Sequence, residues 1–111
     1  VWDKLSEYMG VEQVFYDIVD RPEFLHAAMR RITDATLAGI RQASALRVVD
    51  DIAKVCHCSY TYNDEQLPDF GAGKGSISQN SWAFGLAQVL TSVSPAALEE
   101  FELPYITEMA R

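Results

Sequence analysis

Ser92-Val-Ser-Pro-Ala-Ala-Leu-Glu-Glu-Phe-Glu-Leu-Pro-Tyr-Ile-Thr-Glu-Met-Ala-Arg111 is the stretch around which the chain is organised. Ser94-Pro95 predicts a helix start. The serine oxygen can accept from free backbone N–H groups, and proline at the first helical position gives up a donor that had no partner. A helix over 95–111 follows, with Leu98, Phe101, Tyr105, Ile106 and Met109 on one face and Glu99, Glu100, Glu102 and Glu108 left for solvent. Pro104 removes a backbone donor inside this pattern, so a kink is expected near Leu103. The pattern is still helical at Arg111.

Upstream, Trp2 to Met9 reads as a helical segment already under way, closed by Gly10. Val11, Val14, Phe15, Ile18 and Val19 give a second short apolar stripe. A sequence that starts and stops inside helices reads as an internal piece of a larger protein. Asp20-Arg-Pro-Glu23 then offers Asp20 as N-cap, Glu23 as its capping-box partner and Pro22 in the first turn. The expected helix is long and amphipathic, spanning 21–47. Phe24, Leu25, Ala28, Met29, Ile32, Ala35, Thr36, Ile40 and Ala43 form its apolar side. Gly39 costs it about 1 kcal/mol relative to alanine. His26 lies near the positive end of the helix dipole, where an imidazolium is disfavoured, and reads as a surface or packing residue.

Between the helices, Ala53 to Tyr62 is the best strand candidate, expected near 53–62. Strand geometry would put Cys56, Cys58, Tyr60 and Tyr62 on one face, and His57, Ser59 and Thr61 on the other. Cys56-His57-Cys58 invites a zinc reading, yet alternation turns His57 away from both sulfurs, and a thiol pair packed in the interior fits better. Gly71-Ala-Gly-Lys-Gly-Ser76 is not a phosphate-binding loop, because Gly75 separates the lysine from the serine. Asp64 and Glu65 fit a polar site or a turn equally well. Trp82, Phe84, Leu86, Ala87, Val89 and Leu90 form a short element apolar on all sides, helix or strand. Strand, loop, buried element and two amphipathic helices in alternation point to an α/β fold. No triad, carboxylate dyad or dinucleotide fingerprint can be assembled from these residues.

With 111 residues, 49% of them hydrophobic, the chain holds one globular domain at most. A formal charge of −7 with nine scattered basic residues argues against a nucleic-acid or anionic-membrane partner. Neither a membrane-spanning run nor a signal-peptide pattern is present, and two cysteines one residue apart make no disulfide framework. The expected setting is the cytoplasm.

Two stretches together resemble a family. Val14-Phe-Tyr-Asp-Ile-Val-Asp-Arg-Pro-Glu-Phe-Leu-His26 and the helix after it look like the "helix, Asp-x-Pro-Glu, long helix" passage of the uroporphyrinogen decarboxylase superfamily. Val93-Ser-Pro-Ala-Ala-Leu-Glu-Glu-Phe-Glu-Leu-Pro-Tyr-Ile106 looks like that superfamily's "Ser-Pro, acidic/Phe, Leu-Pro-Tyr" helix. Neither motif is catalytic. The resemblance implies that the chain is a mostly helical slice of a (β/α)₈ barrel, with Tyr60 to Glu65 and the Trp82–Ser94 segment toward the barrel mouth. It implies methyl transfer linked to a corrinoid, or alternatively porphyrinogen-type decarboxylation. Where the decarboxylase has a substrate-contacting serine, this chain has Gln88, an amide that can still donate to a carboxylate. Tyr62, Trp82 and Gln88, with His57 and Ser92 behind them, are the expected substrate-facing residues of a small-molecule or corrinoid site. The family's catalytic aspartate would lie before Val1, and its late histidine and the zinc ligands of the methyltransferase branch after Arg111. No cofactor is then expected on this stretch itself; the parent would carry the corrinoid and zinc. A third reading, from a different class, is a non-catalytic binding or assembly piece. Its exposed apolar helix faces would drive homo-oligomer formation.

Overall fold

The computed structural model describes residues 2–46 and 87–111, with the backbone of 55–56 and 59–60. In chain order the elements are α1 (Trp2–Met9), α2 (Val11–Asp20), α3 (Pro22–Leu46), β1 (Val55–Cys56), β2 (Ser59–Tyr60), a 3₁₀ helix (Gln88–Ser92), α4 (Pro95–Phe101) and α5 (Leu103–Met109). The chain divides into two compact units, one of residues 1–37 with 85–111 and the other of residues 38–84.

This architecture overturns the α/β reading and the barrel slice with it. The described residues are mostly helical, joined by short breaks, apart from β1 and β2, which pair antiparallel with Val55 opposite Tyr60 and Cys56 opposite Ser59. Within the single strand expected near 53–62, Val55–Cys56 and Ser59–Tyr60 are instead two strands that pair with each other, and the other residues of that run lie outside the described residues. Alternating side chains look the same along one strand and along two halves that fold back on each other. Local antiparallel pairing satisfies the backbone within a few residues, whereas a barrel strand needs parallel neighbours brought from afar. The assignment of Cys56 and Tyr60 to one face of a single strand fails for the same reason.

In the first unit the core is helix against helix. Trp2, Leu5, Val14, Leu25, Met29, Leu90, Phe101 and Tyr105 form one buried cluster, with Met9, Ile18, Ala28, Ile32, Val93 and Leu98 among those packed on it. Gly10 joins α1 to α2 at φ 82° and ψ 146°, a conformation open to glycine alone, and its N–H closes on the Ser6 carbonyl at 2.8 Å. The apolar stripe of α2 is rotated from expectation: Val14 and Asp17 are buried, whereas Val11 and Val19 are exposed. On α3 the buried line is Leu25, Met29 and Thr33, with Phe24 turned out to solvent. Each shift follows from where neighbouring helices lie, which periodicity leaves undetermined.

The α2–α3 junction also differs from the expected cap. Asp20 is the last residue of α2, and Arg21, non-helical at φ −143° and ψ 56°, precedes Pro22 at the first position of α3. A residue before proline is driven out of the helical region, so the break falls one residue later than a cap at Asp20 requires. Asp17, 1% exposed, secures the corner by accepting from Arg21 Nε and an Arg21 terminal nitrogen, each at 2.9 Å, and from Gln13 Nε2 at 2.9 Å. At the far end, Ser94 caps α4 by accepting from the Ala97 N–H at 3.3 Å. The expected kink is a full break at Glu102, which separates α4 from α5. Glu102 itself is 2% exposed rather than solvent-facing.

Candidate functional site

Among the described residues, polar and aromatic groups converge most densely where α3 meets α4 and α5. His26, in the second turn of α3, stacks on Phe101 with ring centroids 4.6 Å apart and planes 17° from parallel. Its Nδ1 lies 2.7 Å from the Tyr105 hydroxyl, and its Nε2 lies 3.4 Å from Glu100 Oε1. The Tyr105 hydroxyl also reaches the His26 carbonyl, donating at 3.3 Å. One turn further along α3, Arg30 donates to Glu108 at 2.7 Å and places its guanidinium 5.2 Å from the Tyr105 ring centre.

The order carboxylate, imidazole, hydroxyl is formally that of a nucleophile relay. The environment argues against that use. Tyr105 is buried, and burial pushes its phenol above the ordinary value, away from the phenolate that a nucleophile requires. The Arg30 cation opposes this shift without cancelling it. Glu100 is more than half exposed, so its attraction for the imidazole is screened by water. The arrangement fastens α3 to α4 and α5, and His26 has the packing role its sequence position suggests.

A second polar group sits under α1. Trp2 Nε1 donates to the Phe101 carbonyl at 2.9 Å, and Asp3 Oδ1 accepts from the Val89 N–H at 3.2 Å. Asp3 thereby supplies an acceptor near the start of the 3₁₀ helix, where backbone donors lack helical partners. Glu102 lies buried beside them. Burial pushes its carboxyl above the usual range.

Comparison of the chain with protein-family models, curated proteins and solved structures gives no match. The reading of the site therefore rests on its geometry.

Of the five substrate-facing residues expected from sequence, His57, Tyr62 and Trp82 lie outside the described residues. Gln88 and Ser92 are the two ends of the 3₁₀ helix, and both side chains are exposed. The backbone there is held by Asp3 and by Leu90, which is buried in the core. Ser92 makes no cap; that role belongs to Ser94. Among the described residues, no group of three or more His, Cys, Asp or Glu could hold a metal ion.

The anchors that sequence reading missed divide by range. Gln13, Asp17 and Arg21 recur at intervals of four, a pattern a helix face would have revealed. His26 with Tyr105 and Trp2 with Phe101 are 79 and 99 residues apart, and nothing local marks them.

Proposed function

We propose that the protein belongs to a one-carbon pathway enzyme related to the uroporphyrinogen decarboxylase superfamily, acting in methyl transfer linked to a corrinoid. In this reading the described helices support the site, and the reacting groups are supplied by other residues. One observation carries the reading: the two stretches that bear the resemblance pack directly on each other. His26, closing the Asp20-Arg-Pro-Glu23 passage, stacks on Phe101 and reaches Tyr105, both within the Ser94-Pro to Leu103-Pro-Tyr105 passage. Motifs far apart in the chain that meet in one interface support each other's packing, which fits their acting as one structural unit in the parent enzyme.

The test uses the protein expressed from its complete reading frame, incubated with methylcobalamin and a thiol. Loss of the methyl–cobalt absorbance with formation of the methyl thioether is the expected result, accompanied by bound zinc in metal analysis. Carbon dioxide release from a porphyrinogen, without methyl transfer, replaces this reading with the decarboxylase. Neither reaction occurring removes both.

A further inference from the structure

The break between α4 and α5 is more complete than a proline kink. Pro104 has no N–H to return to the Glu100 carbonyl. The Phe101 carbonyl, which would serve the next rung, accepts from Trp2 Nε1 at 2.9 Å. Tyr105 N–H turns instead to the Glu102 carbonyl at 3.1 Å, which also receives Ile106 N–H at 3.1 Å. Two successive rungs of a continuous helix are thus missing, and Glu102 sits at φ −111° between the halves.

The halves are anchored differently. Phe101, the last residue of α4, is 2% exposed and meets Trp2 edge to face at 5.9 Å. The hold on α5 combines Tyr105, 6% exposed in the same core, with contacts nearer the surface. Besides Tyr105, it consists of the Arg30–Glu108 pair, in which both side chains are 43% exposed, and the Arg30 guanidinium over the Tyr105 ring. The Glu108 hydrogen bond raises the Arg30 guanidinium above its ordinary value, consistent with Arg30 as the clasp. We infer that α5 is a hinged latch: it opens about Glu102 as a unit while α4 stays docked, and Arg30 holds it closed. Opening uncovers the Tyr105 side chain and the edge of the His26 ring.

Residue-level amide hydrogen exchange on the whole chain tests this. An exposed ion pair is screened by salt, so Arg30→Gln, or salt of about 0.5 M, should speed exchange of residues 105–109 by about two- to fivefold. Exchange of residues 98–101 and of the Trp2 indole N–H should stay unchanged. Glu108→Gln removes the same pair from the α5 side at an exposed position and should reproduce the effect. If α4 and α5 amides accelerate together, the two halves open as one and the hinge is excluded. If α5 exchange ignores salt and both substitutions, the helix merely frays at its end and the latch is excluded.

Discussion

Glu102 is the residue where local pattern and final environment part furthest. It follows Glu99 and Glu100 on a surface-like repeat, yet its side chain is buried beside Trp2 and Asp3. Burial raises its folded-state value above the ordinary 4.5, so the folded protein holds this proton more tightly than the unfolded chain. The resulting contribution is fully present below the ordinary carboxyl value and is lost as pH rises through the folded-state value. Glu102→Gln keeps the shape and removes the titration. Its melting temperature should vary less steeply with pH above 4.5 than that of the parent chain, with the largest gain over the parent at neutral pH. Parallel melting curves for both proteins across that window would show that Glu102 does not carry the effect. His26 is the complementary case: its place in the second turn of α3 was legible, and its partner Tyr105 was not.

Elements were legible where a chemical stop signal stood in the sequence. Gly10 divides α1 from α2 and Ser94-Pro95 opens α4, each through a backbone requirement that needs no neighbour, whereas α3 opens at Pro22 and not from the expected cap at Asp20. Gly10→Ala tests the first of these. A Cβ there would meet nothing within 4 Å, so the whole cost is the backbone conformation. The expected loss is about 1–3 kcal/mol in denaturant unfolding. A neutral substitution would mean that α1 and α2 can join at ordinary dihedrals. Element type between residues 53 and 62 was not legible, because an alternating run does not state whether it reverses. Pairing of Val55 with Tyr60 is a choice made between backbone groups, and the side-chain alternation does not encode it.

At the scale of the molecule, the first unit is closed by contacts between the two ends of the sequence. Trp2 is fully buried, donates to the Phe101 carbonyl and meets the Phe101 ring edge on. Removing it opens a cavity at the meeting point of α1 and α4. Trp2→Ala is therefore expected to cost about 3–5 kcal/mol of unfolding free energy, read from the denaturant midpoint at unchanged slope. A loss below about 0.5 kcal/mol, the scale of an ordinary surface substitution, would place Trp2 outside the core. Among the described residues no helix is long and apolar enough to cross a membrane.

The sequence by itself determined the break at Gly10, the start at Ser94-Pro95, the amphipathic character of α3 and the interruption before Pro104, because each depends on one residue's backbone chemistry or on a period of 3.6. Tertiary structure alone decided which sides of α2 and α3 face inward, that Glu102 is buried and that His26 meets Tyr105. It also placed Gln88 and Ser92 at the exposed ends of a 3₁₀ helix. Those outcomes depend on which distant surface arrives opposite each residue. Local propensity carries no record of that arrival.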